Sequence, residues 1–223
     1  MAAVVLAVFL WCGGAQAQTH DWTGFYLGAH GGWGGTTVDY INPGTPEQHL
    51  GGALVGAQAG YDFQFDNVVV GAFTDISFMK WNAFERDGNY ITEEGEMSHL
   101  GSIRAKVGYA VGDFLPYVMA GVAYGDLLQQ EQCPSPAAAP FGFCSRNGPF
   151  NLDKTHTQWG EVIGAGLQYS IGGGWDVGGS YSHYFMPKTT FRLSPDAKGN
   201  PLPDSIVKKR DFGVVRLELN YRF

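Results

Sequence analysis

One short stretch, Ser180 to His183, contains residue types that could carry out hydrolysis. Ser180 or Ser182 would be the nucleophile and His183 the base. Acids that could complete such a site lie elsewhere, at Glu85, Glu93, Glu94 and Glu96. The base must lie within hydrogen-bond reach of the nucleophile, yet adjacent residues of a strand, such as Ser182 and His183, point to opposite faces. We therefore predict no catalytic residue and no cofactor.

The N-terminal residues are typical of an export signal. Residues 4–11, VVLAVFLW, form an apolar run, and residues 15–17, AQA, supply a small-x-small cleavage pattern. The run is shorter than the ~20 apolar residues of a membrane-spanning helix. We predict a signal peptide over residues 1–17 and one domain over residues 18–223.

Two cysteines remain after such processing, because Cys12 lies within the predicted signal peptide. Cys133 and Cys144 form an even pair in an exported chain, where an oxidising compartment favours a disulfide. They flank the segment PSPAAAPFGF, so the predicted bond would pin a loop. A zinc site would need two further ligands at suitable spacing, and we predict no metal site.

The composition favours a β protein rich in glycine and aromatic residues. The 223 residues include 33 glycines and 14% aromatic residues, and only 16% are charged, against roughly 25% in an average chain. The net charge is −7, and the sequence contains no basic helix or basic–aromatic stripe. We therefore expect no nucleic-acid partner.

Hydrophobic alternation recurs along the whole predicted domain. The alternating stretches are residues 22–35, 54–65, 68–81, 102–111, 116–126, 161–171, 175–185 and 212–223. Short turns follow the second, fourth and sixth stretches. Long connections follow the first, third, fifth and seventh, at 38–49, 85–95, 129–156 and 187–208. An even strand number with short turns on one side predicts an all-β fold, an eight-stranded antiparallel up-and-down transmembrane β-barrel.

Charged residues share the strand face opposite to the apolar residues. The interior of an eight-stranded barrel is just wide enough for side chains, so inward charges must pair with one another. We predict that apolar residues face lipid and that a lumen charge network comprises Asp62, Asp75, Arg104, Lys106, Asp176, Arg216 and Glu218. Tryptophans near strand ends are predicted to form interfacial girdles: Trp22, Trp33, Trp81, Trp159 and Trp175.

Two motifs near the ends of the predicted domain resemble a known family. WTGFYLGAHGGWG at residues 22–34 and LNYRF at residues 219–223 are similar to the small outer-membrane β-barrel proteins of alphaproteobacteria. That family includes porin-like surface antigens and haemin-binding proteins. The resemblance implies a barrel like the transmembrane domain of OmpA, located in the outer membrane of a Gram-negative bacterium. It also implies that Tyr221 and Phe223 belong to a C-terminal signal read by the outer-membrane assembly machinery.

The last long connection is basic in an otherwise acidic chain. Residues 187–210 contain six lysines and arginines and two aspartates, and six minus two gives a local charge of +4. Lysine and arginine bind phosphate groups through charge-assisted hydrogen bonds. We predict contact of Lys208, Lys209 and Arg210 with lipopolysaccharide, alongside outer-membrane lipid around the barrel.

These features favour a non-catalytic integral outer-membrane protein that supports envelope integrity and interacts through surface loops. A narrow porin is an alternative, although wide aqueous lumens come from about 16–18 strands. A haemin-binding protein is another, although its candidate histidines form no close pair suited to axial ligation: His49, His99, His156 and His183. A lipid-modifying enzyme is the third alternative. The sequence leaves the oligomeric state open.

Overall fold

The alternating stretches form antiparallel strands in the computed structural model, which describes residues 20–38, 48–86, 92–133, 150–186, 189–191, 205–207 and 210–223. The strands are β1 (Gly24–Val38), β2 (Gln48–Phe65), β3 (Val68–Arg86), β4 (Thr92–Tyr109), β5 (Phe114–Cys133), β6 (Phe150–Gly172), β7 (Trp175–Met186), β8 (Thr189–Phe191), β9 (Ser205–Val207) and β10 (Arg210–Arg222). Within this described part, eight strands close into one barrel in the order β1-β10-β7-β6-β5-β4-β3-β2, and β8 pairs with β9. The predicted all-β, eight-stranded antiparallel barrel is confirmed.

Short turns join the strands at one rim of the barrel. Residues 66–67 connect β2 to β3, residues 110–113 connect β4 to β5, and residues 173–174 connect β6 to β7. Asp66 has a φ of 51° and the glycines of the third turn also have positive φ, a conformation that Gly adopts freely and Asp tolerates. We call this end of the barrel the turn rim and the opposite end the loop rim.

The strands extend further toward the loop rim than the alternation predicted. β3 and β4 continue into the predicted loop 85–95, and β5 and β6 continue into the predicted loop 129–156. The predicted loop 187–208 contains β8 and β9. Apolar alternation arises where one sheet face is apolar and the other polar. Toward the loop rim the alternation of apolar and polar residues therefore ends while the strands are still paired through their backbones.

The register of the strands gives the barrel a shear of ten residues. If one starts at His30 on β1 and steps from each residue to its paired neighbour across β2, β3 and β4, one arrives at Gly125 on β5. The pairs through β10, β7 and β6 lead instead to Leu115 on the same strand. The difference, 125 − 115 = 10, requires tilted strands, and closed barrels tilt by ~35–45°. This tilt brings together, inside the barrel, residues that are far apart in sequence.

Apolar side chains cover the outer surface of the barrel. Leu217 is 72% exposed, Val55 is 64% exposed and Val118 is 61% exposed. A continuous apolar band of this kind marks a surface that meets lipid or another protein. Among the described residues, no helix is long and apolar enough to cross a membrane.

Aromatic rings border the apolar band at both ends. Pairs near the turn rim are Phe25–Phe223, Phe114–Tyr169 and Trp175–Tyr221, and a pair near the loop rim is Tyr124–Trp159. Outward-facing tryptophans are Trp33, Trp159 and Trp175, as predicted. The girdle prediction is wrong for Trp22 and Trp81, which are 0% and 2% exposed and lie inside the barrel. Trp22 shares the inward parity of Tyr26, and Trp81 shares that of Asp75.

Candidate functional site

The first ion-pair cluster of the barrel interior is centred on Asp75 of β3. Arg104 Nη2 on β4 lies 2.8 Å from Asp75 Oδ1, and Arg216 Nη1 on β10 lies 3.1 Å from Asp75 Oδ2. All three side chains are buried. A buried ion without a close partner of opposite charge costs several kcal/mol. The Asp75 carboxylate provides that partner for both guanidinium groups.

Hydroxyl groups complete this first cluster. Tyr184 Oη accepts a 2.7 Å hydrogen bond from Arg104 and another of 2.7 Å from Arg216. Ser77 Oγ accepts a 3.2 Å bond from Arg216 and lies 2.9 Å from His30 Nε2. The cluster thus ties β1, β3, β4, β7 and β10 together across the lumen.

A second ion-pair cluster lies closer to the turn rim and is centred on Asp62 of β2. Asp62 Oδ2 is 2.9 Å from Lys106 Nζ and 3.0 Å from Arg222 Nη2. Arg222 Nη2 is also 3.7 Å from Asp176 Oδ2, and Asn220 donates a 2.7 Å hydrogen bond to Asp176. Cations from β4 and β10 here share carboxylates from β2 and β7.

Glu218 is the remaining buried carboxylate among the residues predicted for the lumen. Ser180 donates a hydrogen bond to Glu218 Oε1. Gln58 Nε2 and Tyr117 Oη lie 3.3 and 3.5 Å from Glu218 Oε2. Gln58 also donates a 2.7 Å bond to Asn220, so Glu218 is connected to the second cluster through neutral side chains.

The buried charges of the described interior balance one another. The four carboxylates are Asp62, Asp75, Asp176 and Glu218, and the four cations are Arg104, Lys106, Arg216 and Arg222. Four minus four gives a net charge of zero. A neutral interior avoids an unpaired buried ion, which would cost several kcal/mol.

Apolar layers lie on both sides of the ion pairs. Toward the turn rim the layer consists of Trp22, Val69, Ala110 and Leu115. Toward the loop rim a larger layer includes Leu54, Met79, Trp81, Leu100, Val162, Met186, Phe212 and Val214. Ion pairs between two apolar layers therefore occupy the described part of the lumen.

The residues before β1 fold across the turn rim. The His20 ring packs edge-on against Trp22 at 4.8 Å, and His20 Nδ1 lies 3.3 Å from Ser170 Oγ. Partial burial lowers the pKa of His20, and the positive charge of Arg222 lowers it further. The neutral imidazole is therefore the form that fits this position.

The predicted charge network left out several polar residues of the interior. Arg222 and Asn220 share the inward parity of Arg216 and Glu218 on β10, and the alternation to the end of the strand already places both on the polar face. Other polar residues of the interior that the network left out include Gln58, Ser77, Ser102, Gln168, Ser180, Ser182 and Tyr184. Parity gives the face of each residue but not its partner.

The residues considered for hydrolysis are separated by the barrel wall. Ser182 is fully buried inside and accepts a 2.9 Å hydrogen bond from Arg104. His183 faces the outside, where its Nδ1 lies 3.2 Å from Tyr181 Oη and its ring packs on Phe185. Strand geometry thus keeps the candidate base away from the candidate nucleophile.

Other predicted site residues lie at the margins of the described structure. Cys133 ends β5 opposite Phe150, whereas Cys144 lies outside the described residues, so the disulfide stays a prediction. Arg210 begins β10, and Lys208 and Lys209 lie outside the described residues. So do residues 1–17, the predicted signal peptide.

The two residues of the predicted assembly signal lie on the outer surface at the turn rim. Tyr221 is 37% exposed and Phe223 is 71% exposed. The Phe223 backbone N–H donates a 2.9 Å hydrogen bond to the Phe25 carbonyl of β1. Their recognition by the assembly machinery stays a prediction.

A closed antiparallel barrel with an apolar outer band, aromatic borders and a polar interior is the architecture of outer-membrane β-barrels. A sequence profile of the outer membrane protein beta-barrel domain matches residues 3–223. The chain belongs to this family and is located in the outer membrane of a Gram-negative bacterium.

Known proteins with similar sequences are also outer-membrane proteins. The chain is 28% identical to the 31 kDa outer-membrane immunogenic protein of Brucella melitensis in an alignment 225 residues long, gaps included. This alignment covers 94% of this chain and 87% of that protein. It is 26% identical to a 22 kDa outer membrane protein of Rhizobium leguminosarum over 151 residues, covering 66% and 56%. The predicted membership of an alphaproteobacterial outer-membrane barrel family is confirmed.

Two solved structures align along most of the chain at low sequence identity. OprG from Pseudomonas aeruginosa aligns with a TM-score of 0.48 at 14% identity, covering 92% of this chain and 98% of OprG. Ail from Yersinia pestis aligns with a TM-score of 0.47 at 14% identity, covering 90% and 99%.

Proposed function

We propose that this outer-membrane protein is a non-catalytic anchor, a sealed barrel that supports the envelope and presents its connecting segments at the loop rim. One observation carries the proposal, namely the charge-balanced interior with an apolar layer on each side. Such an interior provides rigidity rather than a path for solutes. An eight-stranded barrel is just wide enough to be filled by its own side chains.

Presentation at the cell surface is supported by the relatives and by the topology. The Brucella relatives are named outer-membrane immunogenic proteins. In this chain the connections after β1, β3, β5 and β7 all leave the barrel at the loop rim, the side on which barrels of this class carry their longer extracellular loops. We assign these connections to surface interactions, and a disulfide between Cys133 and Cys144 would restrain one of them.

Contact with lipopolysaccharide is part of this proposal. Lys208, Lys209 and Arg210 immediately precede or begin β10 on the loop side. Cations at this level would meet lipid phosphates. Exchanging all three for glutamate should reduce the lipopolysaccharide that co-purifies with the protein, whereas unchanged retention would remove this contact from the proposal.

Deletion of the gene tests the anchoring function against its alternatives. We expect greater sensitivity to detergent with an unchanged lipid A profile, and complementation by the wild-type chain. An altered lipid A profile would indicate an enzyme. Slower uptake of small solutes across an otherwise intact envelope would indicate a porin, and a haemin difference spectrum of the purified protein would indicate haemin binding.

A further inference from the structure

The pairing of β1 with β10 is the seam at which the barrel closes. It joins the first and last barrel strands, from Tyr26 opposite Arg222 to Gly35 opposite Gly213. Contacts between residues so distant in sequence carry the largest loop-closure entropy of any pairing in the barrel. This seam therefore forms only when the two ends of the barrel sequence meet.

Arg222 makes several contacts on the β1 side of the seam. Its Nη1 donates a hydrogen bond to the Trp22 carbonyl and lies 3.4 Å from the Gly24 carbonyl. Its guanidinium carbon lies 5.4 Å from the Trp22 ring centroid and 5.1 Å from that of Tyr26, within the range of cation–π attraction. One side chain of β10 thus holds both the start of β1 and the tryptophan of the turn-rim layer.

The other side of the same guanidinium is fixed inside the barrel. Arg222 Nη2 lies 3.0 Å from Asp62 on β2 and 3.7 Å from Asp176 on β7. The Arg222 backbone N–H also donates a 2.7 Å hydrogen bond to the Gly174 carbonyl, in the turn before β7. Arg222 on β10 is therefore joined to the start of β1 across the seam, to β2 beyond β1, and to β7 on the other side of β10.

The backbone at the start of β1 is shaped for this approach. Gly24 has a φ of 144°, and a Cβ atom there would lie 2.9 Å from the Phe223 carbonyl oxygen and 3.4 Å from Arg222 Cγ. A glycine lets the end of β10 pack against this point.

We propose that Arg222 is a latch, a side chain that both holds the β1–β10 seam closed and seats Trp22 in the turn rim. The planar fork of the guanidinium suits this task, because it can donate to a backbone carbonyl and to a carboxylate at once. The predicted C-terminal signal concerns recognition by another protein, whereas the latch acts within the folded chain.

Hydrogen exchange on the purified, detergent-solubilised protein tests the latch. The variants are Arg222→Gln, Arg222→Lys and the control Arg216→Gln, which alters another buried arginine of β10 whose carboxylate partner lies on β3. We expect Arg222→Gln to speed exchange of the Phe223 amide and of β1 by about tenfold or more relative to β5 and β6, the effect of losing a charge-assisted hydrogen bond. Arg222→Lys should show a smaller increase at the same places, and Arg216→Gln no preference for the seam.

Every outcome of this experiment decides the proposal. Wild-type protection of the seam in Arg222→Gln or Arg222→Lys would overturn it, and so would a seam-selective loss in Arg216→Gln. If neither Arg222 variant is recovered folded, recovery of folded Arg216→Gln supports the latch. Failure of all three variants would overturn it, because the defect would then follow from losing any buried arginine.

Discussion

Replacing Asp75 by asparagine tests the charge balance of the barrel interior. The substitution keeps the shape of the side chain but removes the negative charge that faces both Arg104 and Arg216. The interior then has three carboxylates and four cations, a net charge of +1. Because removing one partner of a buried ion pair costs about 3–5 kcal/mol, we expect the free energy of unfolding to fall by about that amount.

A second substitution separates charge balance from local packing. Adding Arg216→Gln to Asp75→Asn leaves three carboxylates and three cations, so the interior is neutral again. We expect the double variant to be more stable than the sum of the single effects by roughly 1–3 kcal/mol, a coupling typical of residues in one network.

Urea unfolding in detergent micelles, followed by tryptophan fluorescence, measures both effects. The matched control is Asp66→Asn, in the exposed turn between β2 and β3, where asparagine also tolerates the positive φ. This control should change the unfolding free energy by no more than about 0.5 kcal/mol. If Asp75→Asn behaved like the control, or if the double variant showed simple additivity, the reasoning from charge balance would be refuted.

Three further predictions concern the outer face, the turn rim and pH. Leu217→Arg should lower the unfolding free energy by ~2–4 kcal/mol, the cost of arginine at the lipid midplane, and equal stability of the variant and the wild type in urea titrations would contradict the lipid-facing assignment. Trp22→Ala should cost about 3–5 kcal/mol in the same titration, and a loss no larger than that of Trp33→Ala would show that the buried ring does not seal the rim. The pKa of His20 is lowered from 6.5 in the fold, so the neutral ring's contribution to stability is present above pH 6.5 and is lost as the pH falls from there through the lowered pKa of the folded state. His20→Gln should flatten this part of the stability–pH curve, and an unchanged slope between pH 7 and pH 5 would contradict it.

Strand number, barrel class and the direction of the charged face could be predicted from the sequence. The alternation Val215, Leu217, Leu219 against Arg216 and Glu218 already specifies which face meets lipid, because strand side chains alternate. Parity likewise assigns Trp81 to the interior, and the girdle prediction was wrong for this residue because it considered only position along the strand.

The pairing of individual charges could not be predicted from the sequence. Arg222 meets Asp62 across 160 residues of chain, and this contact depends on the shear and tilt of the closed barrel. Those quantities follow from the register of all eight strands together. The packing partners of Trp22 could not be predicted for the same reason, since Val69 and Leu115 come from distant strands.

Single-channel recording on the refolded chain in planar bilayers tests the sealed interior most directly. An interior of paired charges between two apolar layers should pass no stable ionic current at either polarity. The variant Trp22→Ala should also stay silent, because the apolar layer toward the loop rim is intact. A large, stable conductance of the wild-type protein would contradict the sealed barrel and favour a porin.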